Sequence, residues 1–392
     1  MTSRSTRIKS GEAWHKEENE MAGRRRKPRV YDNDCYRDFG EQPSVLEIQL
    51  GYGLIPLVDK ENNNAPLLED ITYVRNQIDA EYGLPLPCVR VRDNIRCEPY
   101  EYKILLHGIE VGGYKKCNPS YVMCLDLGSV TKEIEGEKIK DPVFDLDCIL
   151  LHKSRKSEAE LLGYVPVEWY TVIKNHLYEI IRKNLTKFLD QSMVNKLVEK
   201  VRKTNPDVVS DVFFMKLFLV SDFKLVLNQL LDEEVSIRDM NTILETIADY
   251  LPEKLKPYEL AEKVRQRLSL SFISNYLEED KTLHLIKVSK SVSDFIEEHA
   301  YYPNSRVEIP YCTDKIRSKK FSNAVSASMQ LIIKKNLRPV LACVSSARLL
   351  LAQLLHLKMP GVRVISDMEL LALKNVYPIK VEGELSFDEE KE

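Results

Sequence analysis

The chain has 392 residues, 44% of them hydrophobic and 30% charged, with a formal net charge of −3. That length supports roughly two to four compact units whose cores need neither metal nor disulfide staples. The near-neutral balance excludes a global electrostatic pull toward nucleic acid or an anionic membrane. The cysteines (Cys35, Cys88, Cys97, Cys117, Cys124, Cys148, Cys312 and Cys343) are scattered and form no C-x-x-C pair. They read as free thiols in a reducing compartment rather than as a zinc or redox site. The most apolar run, Ala347 to Met359, is interrupted by Arg348, Gln353, His356 and Lys358. It falls short of the ~20 apolar residues a membrane span requires. The amino end lacks the apolar segment of a secretory signal.

Residues 1–44 read as a polar arm with few aliphatics and a basic run, Arg24 to Arg29, too poor in apolar surface to offset the cost of ordering. Residues 1–11 are candidates for an added leader. Val45 to Asp59 alternates and then turns apolar, which predicts a strand pair. Ile71, Val74, Ile78 and Tyr82 share one face of a helix that Gly83 ends and Pro85 and Pro87 do not let resume. Val89 to Arg92 predicts an exposed strand followed by a turn at Asp93-Asn94, and Tyr102 to Val111 alternates again. This first region is therefore β-α-β-β, an α+β pattern. Tyr121 to Leu151 is strand-rich with a polar loop over 131–141, and Pro166 to Leu189 is predicted helical. Ser192 to Leu251 reads as all helix, punctuated by Pro206 and Pro252, with Ser236 and Asp239 as caps. An α/β unit begins at Leu283, with a helix over 318–336, strands over 339–344 and 362–365, and a Leu-rich helix between them.

Candidate catalytic chemistry is thin. Seven histidines are dispersed; His107, on a predicted strand, and His176, on a predicted helix, read as packed or capping residues. Gly51-Tyr52-Gly53 is followed by Leu-Ile-Pro rather than by a helix, so it lacks the context of a phosphate-binding loop. Asp93-Asn94 reads as a turn bonding its own backbone. Asp232-Glu233-Glu234 reads as a solvated helix end, and Asp388 to Glu392 as an acidic tail. Leu349 to Leu351 with Leu354 and Leu355 reads as core, the other reading being a partner surface. The basic run at Arg24 to Arg29 leaves nucleic-acid binding open as an alternative function; a basic flank next to a membrane suits it too.

Six ordered motifs carry a resemblance to one family. Gly51 to Asp59 resembles G-Y-x-L-I-P-x-V-D, and Val91-Arg92-Asp93-Asn94 resembles [VI]-R-D-N. Glu101 to Val111 resembles Y-R-I-L-x-K-G-x-E-[IV], and Asp141-Pro142-Val143-Phe144 resembles D-P-A-F. His176-Leu177 matches an H-L pair, and Val235 to Glu245 resembles V-P-I-R-D-[ML]-x-x-I-L-E. On these, the chain from about Leu46 to about Ile379 resembles the cytosolic part of the FlhA family, the export-gate proteins of type III secretion in flagella and injectisomes. The wording of Gly51 to Asp59 leans flagellar.

The resemblance implies a multidomain α+β and α/β fold of four subdomains. The first, 45–118, is α+β and is completed by 169–188. A small β-rich insertion, 119–168, forms the second. An all-helical subdomain, 189–268, and an α/β subdomain, 269–380, follow, with an acidic tail over 381–392. It also implies a docking platform at the cytoplasmic face of the bacterial inner membrane, with no catalysis, no cofactor and no metal. Its partners would be export chaperones with their substrates, the export ATPase complex, other gate subunits, and further copies of itself in a nonameric ring; no nucleic acid. A membrane region would precede this chain in the parent protein.

The family's docking dimple maps onto Asp141, Phe144, Val167 and Val172. An apolar floor with an acidic rim suits an inserted aromatic anchor. Asn175, where flagellar members often carry Thr, would alter partner specificity. Phe144 taken alone reads equally well as core. Tyr36, Asp38 and Phe39 are candidates for contacts with a neighbouring subunit in the ring.

Overall fold

The computed structural model describes residues 30–31, 44–60, 64–214, 218–313, 319–356, 359 and 361–387. Tyr36, Asp38, Phe39, the basic run and residues 388–392 lie outside them; the rest of the segment expected as an acidic tail is described, and its residues 381–385 belong to a strand, Ile379–Leu385. The chain divides into two compact units, one comprising residues 1–75 and 87–181 and the other 76–86 and 182–392.

The first unit is built on two antiparallel-rich sheets. β1 (Val30–Tyr31), β2 (Leu46–Leu50), β3 (Val89–Asp93), β4 (Tyr102–Leu106) and β5 (Ile109–Tyr114) form a five-stranded sheet in the order β1-β3-β2-β4-β5. β2 and β3 run parallel, joined through α1 (Pro66–Tyr82), which is why β2 is buried along its whole length. The second sheet has the order β7-β8-β6-β9, from β6 (Tyr121–Leu125), β7 (Glu137–Lys140), β8 (Asp147–His152) and β9 (Val165–Val167), all pairs antiparallel. α2 (Lys156–Leu161) lies between β8 and β9 in sequence. One face of this sheet packs Val122, Cys124 and Leu151 with Ala159 of α2 and Tyr164. The unit ends with α3 (Trp169–Arg182), whose Val172, Ile173, His176, Leu177 and Ile180 are buried as its periodicity predicts.

Two motifs find their physical meaning in this unit. Val45 to Asp59 is not a strand pair: β2 is followed by a 3-10 helix over Tyr52–Leu57 with Pro56 inside it. The glycines permit that passage. A Cβ on Gly51 would collide with the carbonyl oxygen of Glu98, and one on Gly53 would lie 2.5 Å from the Tyr100 ring. Backbone bonds Gly51 N–H to Glu101 O (2.8 Å) and Gly53 N–H to Pro99 O (2.8 Å) hold the two segments together. The second motif ties back to the same strand. Arg92 pairs with Glu47 at 2.7 Å, and the Asn94 amide donates to Gln49 at 2.6 Å. With β1 on one side and β2 on the other, β3 is interior to its sheet rather than exposed.

Three further expectations are corrected. β7 lies inside the segment expected to be loop, because Ile139 pairs with Cys148 and is buried. The helix expected from Pro166 starts at Trp169; Val165–Val167 is spent on β9. His107 is not on a strand but in the β4–β5 turn, where it and Gly108 both take positive φ (50° and 80°).

The second unit begins with the end of α1. Gly83 has φ 72°, and a Cβ there would lie 2.5 Å from Arg238 Cα, so the helix stops at Gly83 and the chain passes close beneath Arg238. The Ile237 N–H donates to Tyr82 O at 2.9 Å in the same place. The helical part comprises α4 (Gln191–Thr204), α5 (Pro206–Phe213), α6 (Val220–Asp232), α7 (Met240–Tyr250) and α8 (Pro257–Ile273). Asp239 caps α7 through the Thr242 N–H at 3.1 Å, whereas Ser236 only accepts from Arg238 N–H in the preceding turn.

The α/β part contains a wholly parallel sheet in the order β14-β13-β10-β15. Its strands are β10 (Leu283–Val288), β13 (Val340–Cys343), β14 (Arg363–Ser366) and β15 (Ile379–Leu385), with a small hairpin of β11 (Ala300–Tyr301) and β12 (Tyr311–Cys312). α9 (Lys290–Glu298), α10 (Lys319–Lys334) and α11 (Ser345–His356) share its core with Ile286, Leu341 and Val364. α12 (Asp367–Leu373) follows β14. Leu349, Leu350, Leu351 and Leu355 are buried, as their core reading requires. Among the described residues no helix is long and apolar enough to cross a membrane.

Of Asp232-Glu233-Glu234, only Asp232 is exposed; Glu233 and Glu234 are not the solvated end expected. Glu233 receives Arg265 at 2.9 Å and Arg348 at 2.6 Å; Arg348 also pairs with Glu262, and Arg265 with Glu369 at 3.0 Å. Glu234 receives Arg182 at 2.7 Å and pairs with Arg363. Arg348 is fully buried, which its place in a Leu-rich helix did not announce.

Candidate partner-docking site

The site is the tip of the β7–β8 hairpin in the first unit. Its six-residue turn runs from Asp141 to Leu146. Asp141 is 5% exposed, and its Oδ2 accepts from the N–H groups of Phe144 (2.7 Å) and Val143 (3.2 Å). Its own N–H donates to Leu146 O at 2.9 Å, and its carbonyl accepts from Asp145 N–H at 3.0 Å. Asp145 takes positive φ, 56°, to close the loop. An aspartate is favoured here because its short carboxylate satisfies turn N–H groups that no strand partner reaches. Asp141 is therefore not the charge at a rim. It is the clasp that fixes the turn.

The consequence is the placement of Phe144. Its ring is 60% exposed, so the core reading is excluded. Strand register shows what lies beside it. Leu125 is opposite both Cys148 and Val165, and Lys140 is opposite Asp147. The hairpin tip, the exit of β6 and the entry of β9 thus share one end of the sheet, where Phe144, Leu146, Leu127 and Val165 are all exposed. Exposed Asp126, Asp145 and Asp147 belong to the same end. Asp147 pairs with Lys140 at 2.9 Å. An apolar patch with an acidic border is present, but its acids and three of its apolar residues are not the ones the sequence nominated.

The other nominated residues fall elsewhere. Val167, half-buried, pairs with Met123 toward the far end of β9. Val172 is 1% exposed and is core of α3, not floor of a dimple. Asn175 is on the exposed face of α3. Behind the site, the Tyr102 hydroxyl meets His176 Nδ1 at 2.8 Å, and Tyr114 stacks on Trp169 at 5.7 Å between centroids. This settles His176 as a packed residue. Burial pushes the thiols of Cys148 and Cys124, on β8 and β6, up to about 11, so both are protonated and unreactive at neutral pH. Among the described residues no cluster of three or more His, Cys, Asp or Glu could hold a metal ion.

The chain belongs to the FHIPEP family, whose profile matches residues 2–374. Within that family it is similar to the flagellar biosynthesis proteins FlhA: 36% identical over 255 residues to that of Treponema pallidum, covering 64% of this chain, and 31% identical over 345 residues to that of Bacillus subtilis, covering 86%. It spans 36% and 49% of the length of those two relatives. The fold is that of the Chlamydia pneumoniae CdsV protein (TM-score 0.74, 20% identity, covering 91% of this chain and 100% of that one). It is also that of EPEC SctV-C, solved as a nonamer (TM-score 0.65, 18% identity, 88% and 100%). The family resemblance read from the six motifs is borne out, and so is the multidomain α/β class.

Proposed function

We propose that the chain is a cytosolic docking platform of a type III protein export gate, binding chaperone–substrate complexes and helping to set the order of export, and catalysing nothing. The observation that carries this reading is Phe144: a large aromatic held in solvent by a turn that Asp141 closes, among exposed Leu127, Leu146 and Val165 and beside three acids. Exposing an aromatic costs free energy unless a partner covers it, and such residues are the ones that dominate interface energetics. The flagellar relatives favour a flagellar assignment, and the export ATPase complex and other gate subunits complete the set of partners. The nonameric SctV-C, and the CdsV and CdsO protein complex (TM-score 0.73), support a ring and an export-apparatus partner at the cytoplasmic face of the inner membrane.

The test is titration of the chain with a cognate chaperone–substrate complex. Phe144→Ala should lower affinity by about 30-fold, the effect of losing ~2 kcal/mol at a hot spot, with the thermal melt unchanged because the ring is outside the core. Equal affinity for both proteins would sink the site assignment.

A further inference from the structure

One end of the five-stranded sheet in the first unit gathers exposed apolar side chains that the docking site does not use. Pair register sets Leu50, Asp93 and Tyr102 at that end, so the segments after β2, after β3 and before β4 meet there. Backbone bonds lace them together: Asn94 N–H donates to Leu50 O at 2.9 Å, and Gly51 N–H to Glu101 O at 2.8 Å. Each segment presents one large apolar side chain to solvent: Tyr52 is 70% exposed, Tyr100 38% and Ile95 99%. Ile95 is held out by a built turn. Asn94 O accepts from Cys97 N–H at 3.0 Å, Asn94 Oδ1 accepts from Arg96 N–H at 2.9 Å, and the Asn94 amide donates to Gln49 at 2.6 Å. Single exposed aliphatics are ordinary, but three such side chains on adjoining segments make a patch.

The charge left over at this end is basic. Arg96 is exposed, with no ion pair among the described residues. Lys115 and Lys116, just past β5, pair with Glu98 and Glu137 and cancel those acids. Glu101 is buried and accepts from the Glu98 N–H at 2.8 Å, and Asp93 is half-buried. The chain also enters β1 here: Val30 lies opposite Arg92 and Tyr31 opposite Val91, so the residues before Val30 arrive from the side of Asp93. The run Arg24-Arg25-Arg26-Lys27-Pro28-Arg29 joins directly to Val30, and six residues span at most about 20 Å. Its cations are thereby tied to the edge of the Ile95 patch.

We propose that this end of the sheet lies on an anionic lipid surface, with Ile95 at the boundary of headgroups and acyl chains, Tyr52 and Tyr100 among the headgroups, and Arg96 and the basic run on lipid phosphates. Shallow apolar insertion and a polybasic segment are each too weak alone and together give stable attachment. Tyrosines favour the headgroup level, and each basic residue near an anionic surface adds about a five-fold factor in affinity. The near-neutral charge of the whole chain does not oppose this, because the attraction acts within a Debye length of ~8 Å. A nucleic acid would engage the basic run and give Ile95 no role. This face is independent of the docking role of Phe144.

The probe is a vesicle of one part phosphatidylglycerol to about two of phosphatidylethanolamine, co-sedimented with the full chain at low salt and compared with vesicles of phosphatidylcholine. The chain should bind the anionic vesicles about 100-fold more tightly or better, and high salt should release it. Ile95→Asp should bind about 10-fold more weakly with an unaltered melt, since its side chain is outside the core. Replacing Arg24, Arg25, Arg26 and Lys27 together with Gln should cost about 100-fold or more. In a Trp14→Phe chain, whose remaining Trp169 is buried, Ile95→Trp should bind at least as well as its parent and emit further to the blue on anionic vesicles. No binding to anionic vesicles at low salt overturns the proposal, and so does equal binding by Ile95→Asp, the result expected if the basic run acts alone as it would on a nucleic acid. A lower sedimentation coefficient of Ile95→Asp without lipid would make the patch a contact between copies and overturn it as well. Phe144→Ala should bind the vesicles as the native chain does; weakened binding would mean that a different face meets the lipid.

Discussion

Phe144 and Asp141 divide a single task. One offers the contact surface and the other holds it in place, so their substitutions should fail differently. Phe144→Ala removes contact area and leaves the fold alone. Asp141→Ala leaves two N–H groups of a tight turn without their acceptor, and should cost about 1–3 kcal/mol of stability as well as affinity, because the ring is no longer aimed. Urea unfolding of both variants checks this: a destabilised Phe144→Ala with an intact Asp141→Ala would reverse the assignment. The glycines of the opening motif work by a different principle, the absence of atoms. Gly51→Ala and Gly53→Ala drive a Cβ into Glu98 and Tyr100, and each should cost on the order of 3 kcal/mol in urea unfolding, the range of overpacked core substitutions. Both motifs were legible as family signatures. Their mechanics were not, because close approach of segments some fifty residues apart leaves no periodic trace in sequence.

At the scale of elements, α6, α8, α11 and α12 meet through buried charge rather than through aliphatic packing alone. Glu233 at the end of α6, Glu262 and Arg265 on α8, Arg348 on α11 and Glu369 on α12 form one network. Arg348→Met should therefore cost about 3–5 kcal/mol, since it strands Glu262 and half of Glu233 without a counter-charge. Burial by itself would raise Glu233, but Arg265 and Arg348 hold its carboxyl at about 2, against an ordinary value of 4.5. A depressed folded value stabilises the fold above the unfolded value, so this contribution is complete above pH 4.5 and is lost as pH falls toward 2. Glu262 has the opposite sign: burial raises it, and its protonation on acidification favours the folded form. The net effect is a loss of stability between about pH 4.5 and 2, smaller than Glu233 alone would give. Glu233→Gln should be less stable at neutral pH yet show a shallower decline in urea midpoint between pH 5 and 3; an unchanged slope would rule the mechanism out. Three acids at a helix end read from sequence as solvated, since nothing in a linear chain shows that an arginine about 115 positions away returns to cover Glu233. Helix faces were more legible: α1 and α3 bury the residues that their periodicity marked, because that pattern is local.

For the whole molecule, the ring remains a proposal with its own test. Replacing Tyr36, Asp38 and Phe39 together with Ala should leave the circular-dichroism spectrum and melt of the chain unaltered while shifting sedimentation toward monomer across a concentration series. Assembly undiminished by the triple change would remove these residues as subunit contacts. The sequence made the class of fold and the family plain, through six motifs in order. It missed strand β7, which depends on cross-strand register rather than on local pattern. The buried thiols have a practical consequence. Cys124 and Cys148 stand in the first unit at about 11 and Cys343 in the second at about 12, each raised first by burial. At neutral pH only on the order of one thiol in ten thousand or fewer is ionised at these positions, so alkylating reagents should find them silent until the surrounding sheet opens. Each unit thus carries its own chemical clock. Pulsed alkylation read residue by residue by mass spectrometry would time the breathing of the two halves separately, in the native chain and without a single added label.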